Sequence, residues 1–120
     1  MALPASAFKS RHKNAGRPAH KSAPGYLKWL RGRRCACGGK LLCCDGKVVA
    51  AHVDHGGDKG MASKASDKFA IPLSNGCHGS QHSVGWRTFE RQLPGRDAVM
   101  LAAIYWRNWP GRAAWEQANG

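Results

Sequence analysis

The chain is short of acidic residues. Its 120 residues include 7 Asp and Glu against 19 Lys and Arg, so the formal net charge is +12. No acidic residue occurs before Asp45. Because a small domain with this charge attracts polyanions, we expect its partner to be a nucleic acid or an anionic membrane surface.

The sequence also lacks long apolar segments. It contains no apolar run of about 18 residues, the length that a helix needs to cross a bilayer. Its first residues, MALPASAFKSRHK, contain no apolar stretch typical of a secretory signal. We therefore expect a cytoplasmic protein that does not span a membrane, with nucleic acid as the available polyanion.

The length favours one domain, preceded here by a basic arm. Residues 1–24 carry five cations among Ala, Ser, Gly and Pro, and offer little that could enter a core. We predict that residues 1–24 are a disordered arm in which Arg11 and Lys13 contact DNA phosphates, and that residues 25–120 form the domain. A solvated tail without a binding role is the alternative.

Local patterns predict the order of elements within the domain. Aromatic and apolar residues favour a short first helix, a β-branched run favours a strand, and a Ser-Asn pair favours a helix start. The predicted elements are a helix at 25–34, a cysteine-rich turn at 35–46, a strand at 47–53, a loop at 54–68, an extended segment at 69–73, a helix at 76–84 interrupted by Gly85, and a helical part at 86–118 whose last helix, 96–108, stops at Pro110-Gly111.

Four of the six histidines lie within the segment 52–82. His78 and His82 are four residues apart, so a helix would place both on one face, where they can hold one cation. His52 closes the predicted strand. A strand, loop, strand and helix with histidines at these positions would form a compact metal site.

The segment from His52 to His82 resembles HNH endonucleases, also called ββα-metal or His-Me finger nucleases, and in particular their phage recombination-enhancement (Ref-like) branch. The resemblance rests on AAHV, GMASKASD and IPLSNGCHGSQH, whose spacing fits without a gap, and on the preceding YLKWLRGRRCACGG. It covers about half of the chain. It implies an α+β fold with a small ββα-metal core at residues 35–84 and flanking helices.

The resemblance also implies a function and the residues that perform it. The protein would be a metal-dependent, phage-derived endonuclease that hydrolyses duplex or single-stranded DNA during recombination or processing. His52 would be the general base, a role that suits imidazole because it titrates near neutral pH. His78 and His82 would hold one divalent cation, Mg²⁺, Mn²⁺, Ni²⁺ or Zn²⁺, at the scissile phosphate.

The sequence departs from this family at two positions. Ala51 stands where relatives often carry a metal-ligating His or Asp, and Asp54, His55 or water would replace that ligand. A second register, with Asp54 as ligand and His55 as base, stays open. No Asn lies between His52 and Leu73 to orient the base, so Asp67 is the candidate for that role.

The clustered cysteines predict a structural zinc site, with buried or incidental thiols as the alternative. Many HNH proteins hold zinc behind the active site with two cysteine pairs. Here Cys35, Cys37 and Cys77 would contribute, and a tetrahedral site needs Cys43 or Cys44 to complete it. We name Cys43 as the fourth ligand.

Three lysines, Lys59, Lys64 and Lys68, flank the proposed site. In a nuclease they would contact phosphates, which position the nucleic acid without reading its sequence. A solvated run of charges is the alternative.

A non-catalytic function is the rival hypothesis. A basic, zinc-stapled module, or a degenerate HNH fold, could bind nucleic acid without cutting it. In a zinc-stapled module His52 would be a ligand in a closed site. In the nuclease His52 stays off the metal, which keeps an open coordination position.

Overall fold

A computed structural model of the protein describes residues 18–53 and 65–119. Its two strands, β1 and β2, form an antiparallel pair in which His52 lies opposite Ala70. The strands are β1 (Val48–His52) and β2 (Ala70–Ser74), and the helices are α1 (Pro24–Arg31), α2 (Asn75–Val84), α3 (Trp86–Phe89), α4 (Ala98–Asn108) and α5 (Arg112–Asn119). Strand, strand and helix therefore follow in the predicted order, and the fold is α+β.

The two strands differ in how they are covered. All five residues of β2 are buried, and the carbonyl of Pro72 accepts a hydrogen bond from the N–H of Ala36 at 2.8 Å. In β1, Ala51 points into the core, whereas Ala50 and His52 share the opposite face because side chains alternate along a strand. This face of β1 is partly buried, because Ala50 also packs against α1, and it also lines a cleft.

Helix α2 begins directly at the end of β2. Ser74 caps it, with its Oγ accepting a hydrogen bond from the N–H of Cys77 at 3.2 Å, and Asn75 is the first helical residue. A Cβ on Gly76 would collide with the carbonyl of Cys43. Only glycine lets the cysteine-rich turn lie this close to the helix. Gly85 ends α2 with a φ of +84°, as the sequence predicts.

Helices α1, α4 and α5 bring most of the aromatic residues together. Tyr26 is fully buried, and its hydroxyl donates to the carbonyl of Ala70 at 2.9 Å. Trp106 meets the Tyr26 ring edge-on, with 5.0 Å between centroids. These contacts fix α1 and α4 against the start of β2.

The structure shows contacts before α1 and a further helix after Gly111, which lies within the predicted helical part at 86–118. Ala23 is buried, and its N–H donates to Asp67 at 2.7 Å, while the indole N–H of Trp115 donates to the carbonyl of Ser22 at 2.8 Å. Ser22 and Ala23, which fall within the predicted arm, therefore have hydrogen-bond partners in the fold. The chain also continues beyond Pro110-Gly111 as α5. Residues 1–17, including Arg11 and Lys13, lie outside the described residues.

None of the helices in the described segments combines the length and the apolar character needed for a membrane span.

Candidate active site and metal centre

His52, at the end of β1, is paired with a buried carboxylate. Its Nε2 lies 2.8 Å from Asp67 Oδ1, and the two side chains are 22% and 3% exposed. Since a carboxylate can only accept, the proton is assigned to Nε2, and Nδ1 keeps its lone pair. The structure thus brings together the two residues that the sequence analysis named as base and orienting carboxylate.

Other contacts fix this pair in position. Asp67 Oδ2 accepts the hydrogen bond from Ala23 N–H, so both carboxylate oxygens have partners. Ser66 caps the helical turn Asp67–Phe69. The indole N–H of Trp86 donates to the carbonyl of His52 at 3.1 Å. The imidazole is therefore held from its ring and from its backbone.

His78 and His82 lie one turn apart on α2, as their spacing predicts. Their Nε2 atoms are 3.1 Å apart and their ring centroids 4.5 Å apart. Burial, reinforced by the neighbouring His82, lowers the pKa of His78. A lowered pKa favours the neutral ring, which is the form that coordinates metals.

All three histidines line one cleft of about 220 Å³. His52 enters it from β1, and His78 and His82 enter it from α2. Its other lining residues are Ala50, Gln81 and Trp86. The arrangement places one candidate proton acceptor and two candidate metal ligands around a shared space.

The cleft also contains residues that the sequence analysis missed. Gln81 is buried and lies three residues after His78, so the helical spacing that paired the histidines could have identified it. Trp86 follows Gly85, and no short motif marked its contact with the backbone of His52.

The position before His52 is not part of the cleft. Ala51 is 1% exposed and packs in the core with Leu73 and Cys77. A metal-ligating side chain at position 51 would point into the core, so it could reach the cleft only by leaving the core face of β1. Asp54 and His55, the replacement ligand and the alternative base, lie outside the described residues.

Of the three lysines predicted to flank the site, only Lys68 is within the described residues, and it does not line the histidine cleft. Its Nζ lies over the Phe69 ring, 5.8 Å from the centroid, and it borders a different cleft beside α4. Lys59 and Lys64 fall in the undescribed segment 54–64.

Four cysteines form a second cluster, on the core side of α2. The Sγ atoms of Cys35, Cys37, Cys44 and Cys77 all lie within 4.8 Å of one another, close enough to hold one metal ion. Cys35 and Cys37 are 3.6 Å apart, and Cys37 and Cys77 are 3.8 Å apart.

The fourth member differs from the prediction. Cys44, rather than Cys43, completes the group, although Cys43 Sγ lies 3.3 Å from Cys77 Sγ. Two adjacent cysteines in a turn cannot be told apart by spacing. Which of the two cysteines joins the group depends on how the turn packs against α2, and Gly76 permits this close packing.

The thiols of this cluster differ in acidity. Burial raises the pKa of Cys37, but hydrogen bonds with the Leu41 backbone and the Cys44 and Cys35 thiols outweigh it, and the pKa falls to about 6. Burial raises the pKa of Cys77 well above its usual range. The thiolate is the form that binds metal ions, and the lowered pKa of Cys37 favours its thiolate.

Comparison with known proteins gives one match. No curated protein and no solved structure matches the chain. The profile of a family described as a protein of unknown function (DUF968) matches residues 6–105. This range includes the histidine cleft and the cysteine cluster. The chain therefore belongs to the DUF968 family.

Proposed function

We propose that the protein is a metal-dependent endonuclease of the HNH type that hydrolyses phosphodiester bonds in DNA. The supporting observation is the cleft in which His52, bonded to the buried Asp67, shares one space with His78 and His82. The sequence resemblance assigns these residues the same roles. The net charge of +12 suits a polyanionic substrate.

His52 acts as the general base. With Nε2–H donating to Asp67, the free Nδ1 takes a proton from a water molecule that attacks phosphorus. Asp67 stabilises the imidazolium that results, and its carboxylate already points at the ring. Because Ala23 N–H holds the second carboxylate oxygen, little reorganisation accompanies the proton transfer.

His78 and His82 fit a shared cation. Two imidazole nitrogens bound at about 2.0–2.1 Å to one cation lie about 2.9–3.4 Å apart, depending on whether the site is octahedral or tetrahedral. The observed separation of 3.1 Å falls within that range. His78 and His82 would hold the cation, which would supply positive charge at the scissile phosphate and at the leaving 3′-oxygen.

We assign a structural zinc to the cysteine cluster. Four thiolates bound at about 2.3 Å in a tetrahedron lie about 3.8 Å apart. The Cys35–Cys37 and Cys37–Cys77 distances of 3.6 and 3.8 Å are close to this value. The four cysteines form a complete set without His52. This separation favours the nuclease over a module in which His52 is a zinc ligand.

Nicking of supercoiled plasmid tests the proposal. Wild-type protein is assayed with Mg²⁺, Mn²⁺ or Ni²⁺ and with EDTA, and cleavage is expected only with a cation. His52→Ala is expected to lower the rate at least about a hundredfold, the scale of a lost general base. Its metal binding should stay close to wild type, since His52 lies off the proposed ligand set, and its Tm shows whether the variant is folded.

His55→Ala is the matched control for the register. It should cut at the wild-type rate. An inactive His55→Ala beside an active His52→Ala would move the base to His55. DNA binding without cleavage under any cation would contradict the nuclease and support the non-catalytic binding module.

A further inference from the structure

A second cleft, of about 430 Å³, shares no lining residue with the histidine cleft. It is formed by the turn Asp67–Phe69, helix α4 and the start of α5. The described residues that line it are Lys68, Phe69, Val99, Ala103, Trp106, Arg107 and Arg112. Its volume is within the range of about 300–1,000 Å³ that is typical of small-ligand sites.

Its wall is apolar and partly aromatic. Trp106 is held by edge-on contacts with Tyr26 and Trp115, at centroid distances of 5.0 and 5.1 Å, so the orientation of its ring is fixed. Phe69 supplies a second ring. Fixed aromatic rings are the surfaces on which unpaired bases stack.

The charged residues of this cleft are all cations. Arg112 pairs with Glu116 at 2.8 Å, but its Nε is buried and has no hydrogen-bond partner among the described residues. Arg107 has no ion pair within the described segments and is exposed. An anionic ligand would complement Lys68 and Arg107, and an acceptor near Arg112 would relieve the cost of its unsatisfied donor.

The cleft is connected to the candidate active site by a single turn. Asp67 holds His52, and the next two residues, Lys68 and Phe69, line the cleft. The carbonyl of Phe69 also accepts a hydrogen bond from the N–H of Val53 at 3.0 Å. A ligand bound here would lie next to the strand that carries His52.

We infer that this basic aromatic cleft binds one unpaired nucleotide of the nucleic acid. Its base contacts Trp106 and Phe69, and its phosphate contacts Arg107 and Lys68. The inference rests on the proposed nuclease function and adds to it a preference for substrates with an unpaired base near the cut. In a duplex the bases are paired and stacked, so none of them can enter a cleft of this size.

Equilibrium binding of a fluorescent single-stranded DNA tetranucleotide, with no divalent cation added beyond the zinc of the cysteine cluster, tests the inference without cleavage. Ala103→Leu fills the cleft from an exposed helical position, and Arg107→Gln removes one cation. Ala103→Leu should weaken binding at least about fivefold, the lower end of the effect of losing one base-stacking contact, and Arg107→Gln should weaken binding because one phosphate contact is lost. Arg107→Gln should also reduce the slope of log affinity against log salt by about 0.7, as for one phosphate on a single strand.

Two matched variants serve as controls. Arg91→Gln makes the same charge change at an exposed residue outside the cleft, and Ala114→Leu makes the same size change on α5; both should bind like the wild type. Thermal unfolding checks that each variant is folded. Wild-type binding by both cleft variants would overturn the inference, even if plasmid nicking were intact.

Competition by small molecules identifies which part of a nucleotide the cleft binds. A nucleoside 5′-monophosphate should displace the tetranucleotide at lower concentration than inorganic phosphate does. Equal displacement by phosphate would overturn the base contact. Binding that depends on the cleft in a protein that never nicks DNA would defeat the proposed function and leave the nucleotide site standing.

Discussion

Helix α2 carries residues of two candidate sites that differ in chemistry. Cys77 is fully buried and points into the sulfur cluster on the core side of α2. The next residue, His78, lines the open cleft on the other side, together with His82. Successive helical residues point about 100° apart, so one turn of α2 can contribute to both sites.

The two sites differ in closure. The cysteine cluster offers four sulfur atoms in a mostly buried group, which matches structural metal sites. The histidine cleft offers two nitrogens beside open space, and an open position is the feature that distinguishes catalytic from structural zinc sites. Substitutions on the core side of α2 should therefore affect folding, whereas those on the cleft side should affect metal binding and cleavage.

The largest effect is expected from breaking the cysteine cluster. Cys44→Ser should reduce bound zinc from about one per chain to near zero, since folding and metal binding are coupled in such sites. Its Tm should fall by about 10 °C or more, which corresponds to ~2 kcal/mol in a domain of this size. Metal analysis and thermal unfolding measure both quantities.

Cys43→Ser is the control for this prediction, because it removes the neighbouring thiol that lies outside the group of four. It should keep its zinc and its Tm. Loss of zinc in Cys43→Ser but not in Cys44→Ser would restore the ligand set expected from the sequence.

On the cleft side, Asp67→Asn should separate catalysis from folding. An amide keeps the shape but loses the charge that stabilises a protonated His52. We expect kcat to fall about 10- to 100-fold with KM little changed. The ¹⁵N shifts of His52 should show less protonation at Nε2, which a purely structural role would not produce. Asp97→Asn, at the exposed cap of α4, should leave kcat and these shifts unchanged.

A smaller effect is expected from one metal ligand. His82→Ala should weaken Mn²⁺ or Ni²⁺ binding about tenfold, a loss of ~1.4 kcal/mol, while the Tm in EDTA changes little because His82 is exposed. Isothermal titration measures the affinity. His20→Ala, an exposed histidine away from the cleft, should bind the metal like the wild type. Equal affinities in both variants would remove His82 from the ligand set.

Local pattern predicted the elements that carry the cleft. A cap at Ser74 or Asn75 and histidines four residues apart were enough to place α2, and the resemblance pointed to Asp67 as the partner of His52; the structure has Ser74 as the cap. What the sequence could not decide depended on packing. Sequence alone cannot distinguish Cys43 from Cys44 as a ligand, because the choice depends on how the turn packs against Gly76. Nor does the sequence around Ala23 indicate that its N–H bonds to a carboxylate 44 residues away.

The basic arm should give the smallest effect, and the structure determines how to test it. Because Pro18 and Ala19 accept hydrogen bonds from Lys21 and Ser22, and Ser22 and Ala23 have partners in the fold, a deletion should end at residue 17. It removes Lys9, Arg11, Lys13 and Arg17, so the slope of log affinity against log salt on duplex DNA should fall by up to about 0.9 per phosphate contact. Cleavage at low salt should persist, since the histidine cleft is intact.

A full-length chain with these four residues changed to Gln separates the effect of charge from the effect of chain length. An unchanged slope in both would mean that cations of the folded part hold the duplex, with Lys68 and Arg107 the first to test.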